Sequence, residues 1–173
     1  MTKTETRHIT QGEYATGSKS EEMITTVLGS CVSACLWDPV AGVGGMNHIL
    51  LPGRVWEEEN SRGVSVNEME LLINAILKLG GDKTRLQAKL FGGARMISNF
   101  SDVGVRNGEF VLSFLKTEGI PCKGHSLGGE QARKIQFWPF SGRARQKLLG
   151  RQGLPEETIP EITATSDTEL ELF

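Results

Sequence analysis

The chain has 173 residues, 38 % of them hydrophobic and 23 % charged, with a formal net charge of −2. That is enough apolar material for the core of one ordinary domain, and the even balance of charge argues against a nucleic-acid partner. No segment reaches the roughly 18 uninterrupted apolar residues of a membrane span. The opening MTKTETRHITQGEY lacks the apolar run of a secretory signal, and Cys31, Cys35 and Cys122 form no disulfide framework. A cytoplasmic, reduced protein is expected.

Residues 1–8 are polar and read as a flexible N-terminus, with the domain taken as 9–154. QGEYATG (11–17) reads as a short edge strand. MITTVLGS (23–30) is β-branched and ends at a Gly-Ser break, CVSACLWD (31–38) is rich in strand formers, and VGGMNHILLP (43–52) is a third apolar run closed by Pro52. The period then changes. Met69, Leu72, Ile73, Ile76 and Leu77 recur at helical spacing within 65–81, and Gly80-Gly81 supplies a stop. LQAKLFGG (86–93) returns to strand character. NGEFVLSFLKTEGI (107–120) is a second helix, ended by Gly119, and RKIQFWPF (133–140) is another strand. From Arg133 to Arg151 there are six basic residues and no acid, and from Glu156 to Phe173 six acids and no base. Residues 155–173 therefore read as an acidic disordered tail, although its closing ELELF alternates acid and apolar residues and could add a strand to a partner's sheet edge. Strands first, a helix between, more strands after and short connections make this a single α+β domain.

Four constellations could carry chemistry. Cys31 and Cys35 have zinc-ligand types, as do Cys122 and His125. In a strand, however, four residues rise by roughly 13 Å, too far for two thiolates that must each lie about 2.3 Å from one ion. The four Gly-Gly pairs match no phosphate loop and read as turns and bulges. Ser30 and Ser33 sit in no nucleophile elbow. The fourth pattern is the most informative: Cys31 directly follows the Gly29-Ser30 turn, and His48, between Met46 and Ile49, needs a polar partner. A hairpin with a loop over 38–42 would put Val32 opposite His48 and Cys31 opposite Ile49, so a one-residue bulge at Gly44-Gly45 is expected to bring Cys31 opposite His48.

TTVLGSCVSACLWDPVAGVGGMNHILLP resembles the signature of the chemoreceptor glutamine deamidases, the CheD family of bacterial chemotaxis. EMELLINAILKLGG, LQAKLFGGARM, VGVRNGEFVLSFLKTEGI and LGGEQARKIQF resemble its later blocks in the same order, over about residues 9–150. The sequence departs from that family's usual pattern at Val27-Leu28, before the first helix and within GGEQARK. The resemblance implies hydrolysis of receptor glutamine side chains to glutamate with loss of ammonia, and thiol–imidazole chemistry of that kind requires no metal or organic cofactor. It implies a catalytic Cys31, His48 and Thr25. The chemistry itself needs donors for an oxyanion, and the Gly29-Ser30 turn with the Cys31 N–H is the expected place for them. The resemblance also implies a three-layer α/β/β fold with mixed sheets, similar to the catalytic domain of the cytotoxic necrotizing factor toxins. The partners it implies are methyl-accepting chemotaxis receptors as substrate, at receptor arrays, and, for some members, a CheC-type phosphatase. The competing reading is a receptor- or phosphatase-binding adaptor with little or no deamidase activity.

Overall fold

The structure, a computed structural model, describes residues 3–50, 58–96, 103–150 and 170–173. In chain order the strands are β1 (Glu5–His8), β2 (Tyr14–Gly17), β3 (Glu22–Leu28), β4 (Val32–Asp38) and β5 (Val43–Asn47). Helix α1 (Glu58–Lys78), β6 (Gln87–Gly92) and α2 (Val103–Glu118) follow. The chain then forms β7 (Cys122–Leu127), β8 (Arg133–Trp138), β9 (Arg143–Leu148) and β10 (Leu170–Leu172). Among the described residues two five-stranded sheets result, with orders β1-β3-β8-β9-β10 and β2-β5-β4-β6-β7, each mixing parallel and antiparallel pairs.

The layers follow from alternation along β4, whose seven residues are all buried. Successive strand side chains point to opposite faces. Val32, Ala34 and Leu36 therefore face the helices, packing with Met69, Leu72 and Ile76 of α1 and Val111 and Leu115 of α2. Cys31, Cys35 and Trp37 face the other sheet and pack with Ile24, Leu28, Ile135 and Phe137. One sheet thus lies between a helical layer and a second sheet, with a separate core on each of its faces. A strand buried on both sides has no polar face, which is why 31–37 reads as a continuous apolar run.

Both helices stop where glycine allows it. The N–H groups of Gly80 and Gly81 close α1 onto Leu77 and Ile76, with Gly80 at φ +102°. Gly119, at φ +70°, ends α2, and Ile120 N–H bonds back to Leu115.

Three sequence expectations are corrected. Glu5–His8 is not loose but pairs in parallel with Glu22–Thr25. The hairpin loop is the four residues 39–42, because Asp38 itself pairs with Val43. The last residues of the tail are a strand on β9 of this chain's own sheet rather than free chain, while 155–169 lie outside the described residues.

Candidate functional site

The shorter hairpin loop decides the geometry of Cys31 and His48. The β4–β5 register runs from Asp38↔Val43 through Cys35↔Met46, and the isolated bridge Val32↔Ile49 continues it with no residue gained or lost. His48 therefore stands opposite Ser33, and Leu50 opposite Cys31. The expected bulge at Gly44-Gly45 is absent, and none is needed. With the register one residue from that anticipated, Cys31 and His48 already share the face toward the second sheet as diagonal neighbours. Such neighbours have backbones about 7–8 Å apart, within reach of an imidazole. The two glycines serve close packing instead. A Cβ at Gly44 would lie 2.5 Å from the Leu36 carbonyl oxygen, and one at Gly45 would lie 2.6 Å from that of Ala15.

The imidazole is held from the opposite sheet. Thr26 Oγ1 lies 2.8 Å from His48 Nδ1, and the same hydroxyl donates to the Ile9 carbonyl at 2.8 Å. A hydroxyl has one proton. Ile9 offers only an acceptor, so the proton goes there and Nδ1 must donate to Thr26. This assigns the Nδ1–H tautomer and leaves the Nε2 lone pair as the base. The His48 backbone is pinned as well: its N–H donates to Glu13 and its carbonyl accepts from Gly12.

Thr25 is placed differently. Its hydroxyl donates to the Ile135 carbonyl at 2.7 Å and its own carbonyl accepts from Ile9 N–H. On β3 residues 24, 26 and 28 point into the inter-sheet core and 25 points away from it. The structure thus brings Thr26, not Thr25, to His48. Strict period-two alternation from the core residues Ile24 and Leu28 was the sequence signal that could have found it.

The turn carrying the thiol is fixed by two elements that the sequence reading left without a role there. Gly93 N–H donates to the Cys31 carbonyl at 2.9 Å and Ala94 N–H to the Gly29 carbonyl at 3.0 Å. Asn107 of α2, 1 % exposed, donates through Nδ2 to the Ser30 carbonyl at 2.7 Å. Gly92 adopts φ +114°, and a Cβ there would come within 2.1 Å of the Cys31 oxygen.

Cys31 and His48 are 1 % and 7 % exposed, so the pair is screened from bulk water. Burial pushes the Cys35 thiol far above its ordinary range, which keeps it protonated. Burial also raises Cys122, whose thiol donates to the Gly124 carbonyl. Among the described residues no group of three His, Cys, Asp or Glu side chains is placed to hold a metal. The arrangement offers one thiol beside one oriented base.

Residues 50–148 match a family model described as CheD chemotactic sensory transduction. A Rhizobium meliloti (strain 1021) protein named as a probable chemoreceptor glutamine deamidase CheD is 44 % identical over 173 residues, covering 96 % of this chain and 94 % of that one. The chain belongs to the CheD family. Identically named CheD proteins of Agrobacterium fabrum (strain C58 / ATCC 33970) and Cereibacter sphaeroides (strain ATCC 17023) are 57 % and 47 % identical. The first match covers 82 % of this chain and 79 % of the relative, the second 90 % and 78 %. The CheD family model begins after His48, whereas an alignment over 96 % of the chain takes in the segment from Thr25 to His48. Two solved structures resemble the chain weakly. They are the Bacillus licheniformis hypothetical protein YfiH (TM-score 0.42, 13 % identity, 65 % of this chain and 49 % of that one) and Neisseria meningitidis NMB0706 (TM-score 0.40, 10 %, 67 % and 51 %). Likeness at that level carries no argument about this CheD-family chain.

Proposed function

We propose that the chain is a protein-glutamine deamidase that converts glutamine side chains of chemoreceptors to glutamate, with Cys31 as nucleophile and His48 as general base and acid. The observation that carries this reading is the Thr26–His48 hydrogen bond, which turns Nε2 into a base on the face that also bears Cys31. The names of the CheD relatives supply the substrate class.

An unperturbed thiol, with pKa about 8.5, is mostly protonated at neutral pH. His48 Nε2 takes the Cys31 proton, and the thiolate attacks the carboxamide carbon of a substrate glutamine. The tetrahedral oxyanion forms beside the Gly29-Ser30-Cys31 turn, with the Cys31 N–H as the nearest backbone donor. The C–N bond then breaks as Nε2 returns its proton to the leaving nitrogen, releasing ammonia and leaving a thioester. His48 next takes a proton from water, the hydroxide attacks the thioester carbon, the C–S bond breaks, and the glutamate leaves with the thiol restored. Throughout, Nδ1–H donates to Thr26, so the hydrogen bond serves both the neutral ring and the imidazolium. The cycle balances without a metal or organic cofactor.

The substrate in this reading is a methyl-accepting receptor whose helical surface presents the glutamine outward. Each conversion adds one negative charge, which changes repulsion between receptor helices and biases a two-state signalling element. The cytoplasmic location, the association with receptor arrays, a CheC-type phosphatase partner and the likeness to the cytotoxic necrotizing factor fold belong to the same reading. No helix of the described residues is long and apolar enough to cross a membrane.

The test is mass spectrometry of a receptor co-expressed with this chain. Wild type is expected to convert specific glutamines to glutamates, and Cys31→Ser, nearly isosteric, to convert none while remaining folded. Conversion at the wild-type rate by Cys31→Ser would remove Cys31 as nucleophile.

A further inference from the structure

The last four residues of the sequence are built into the domain at a place that bears on Cys31. Leu170, Glu171 and Leu172 lie in antiparallel register with Lys147, Gln146 and Arg145 of β9. Phe173 completes the ladder. Its N–H donates to the Ala144 carbonyl at 2.9 Å, and its carbonyl accepts from Ala144 N–H at 3.1 Å. This strand is the outermost of its sheet, on the same side of the sandwich as β7, the outermost strand of the other sheet. The Phe173 ring turns into the seam between them. It meets the Phe91 ring edge to face, with centroids 5.3 Å apart, and lies 4.0 Å from where a Cβ on Gly124 of β7 would be.

Phe91 is not an arbitrary contact. It is fully buried in the same core as Cys31, and Phe173 packs on that core. The next residue, Gly92, pairs with Val32 and approaches the Cys31 carbonyl more closely than any side chain would allow. Gly93 after it donates the hydrogen bond to that carbonyl. A shift of the Phe91 end of β6 is therefore transmitted through two glycines to the backbone of Cys31.

We infer that Phe173, delivered by its strand to the edge of β9, is a positioning residue for the proposed catalytic turn, and that the β9 edge with the Phe91 seam is the docking site of this chain's own C-terminal segment. The inference rests on Cys31 being the nucleophile. The strand is not needed to complete the main cores, because every buried residue of both lies between Ile9 and Ala144 and Phe173 only packs against one of them. Its contribution is local: it covers one side of Phe91 and fixes where β6 ends. The segment is also separable. Residues 149–169 lie between it and β9, far more than the two to five residues of a tight hairpin, so the same contacts can be made by a peptide supplied in trans.

The experiment compares the full chain, full-length Phe173→Ala and a chain ending at Leu154, with and without a synthetic peptide of residues 165–173. Phe173→Ala is expected to lower kcat for a receptor fragment about tenfold with KM little changed, the pattern of a misplaced reacting group. The shortened chain is expected to do the same, and saturating peptide to restore kcat, whereas a peptide carrying Phe173→Ala restores nothing. Iodoacetamide alkylation of Cys31, followed by peptide mass spectrometry, gives a readout that does not depend on deamidation. It is expected to speed up when the seam opens and to return to the wild-type rate with the native peptide. Wild-type kcat and alkylation in both altered chains would overturn the inference, as would equal rescue by the altered peptide. If the shortened chain fails to fold, full-length Phe173→Ala decides the matter, since its backbone pairing is intact. A full chain that deamidates nothing would instead sink the deamidase reading, and the alkylation rates would still decide the role of Phe173.

Discussion

Adjacent threonines on β3 carry different loads. Thr26 holds the imidazole of the proposed base, so Thr26→Val, which keeps the shape and removes the hydroxyl, is expected to lower kcat about 10²-fold or more, the usual scale for disabling a general base. Thr26→Ser should recover most of the loss. Thr25→Val removes a hydrogen bond to the Ile135 carbonyl and is expected to cost about 1–2 kcal/mol of stability with kcat near wild type. Urea melts and initial rates on the four chains separate the two roles, and a Thr25→Val chain as slow as Thr26→Val would reverse the assignment. The pair also shows what a sequence reading reaches. Cys31 and His48 stand out because a thiol after a Gly-Ser turn and an imidazole in an apolar run are chemically conspicuous. Choosing between two identical residues requires the strand's phase, and that depends on which face of β3 meets the second sheet. Asn107 was beyond reach for a related reason: its partner, the Ser30 carbonyl, is 77 positions away in the chain.

At the scale of elements, legibility followed burial. Strands β3, β4, β5 and β6 and the inward faces of both helices were readable because apolar periodicity records a buried face. Strands β7 and β9 were not. CKGHSL has no fully buried residue, and RARQKL presents three cations on a strand near the sheet's edge. Both are held mainly by backbone pairing, which leaves little trace in side-chain type. Helix α1 begins at Glu58, seven residues before the point where its apolar period becomes visible. Gly-Gly in a strand suggests a bulge, whereas here glycine lets three strands and Pro139 approach closely. Gly92 holds the most demanding position, with positive φ and a Cβ path that ends on the Cys31 oxygen. Gly92→Ala is expected to displace the Cys31 backbone, lowering the melting temperature and, if Cys31 is the nucleophile as proposed, abolishing deamidation. Gly80→Ala is the control. It shares the positive φ but meets nothing within 4 Å, so it should lose stability by about 1–2 kcal/mol with kcat intact. Equal kcat in the two variants would deny the β6 end any hold on the site.

For the whole molecule, the proposed nucleophile and a buried ion pair sit at opposite ends of β4. Cys31 precedes its first residue, and Asp38 ends it with no side-chain exposure. Burial alone would raise the Asp38 carboxyl. The guanidinium of Arg85 and the N–H groups of Ala41, Asp82 and Val40 outweigh that and hold it well below the usual carboxylate range. One carboxylate thereby ties the β4–β5 loop to the short turn Lys83–Arg85 that leads into β6, and so fixes the hairpin register on which the Cys31–His48 geometry depends. Because the folded-state pKa is depressed, the charge contributes its full stability above the unfolded value of about 3.9, and that contribution fades as pH falls below it toward the folded pKa. Asp38→Asn keeps the size and loses the charge, leaving Arg85 without its buried partner. It is expected to cost about 3 kcal/mol near neutral pH, at the low end for breaking a buried pair whose cation is partly solvated. The gap between the two proteins in urea unfolding should narrow between pH 5 and pH 3, since wild type alone loses the linked term. A gap that stays constant or widens over that range would mean that Asp38 is held by shape and neutral hydrogen bonds rather than by its charge.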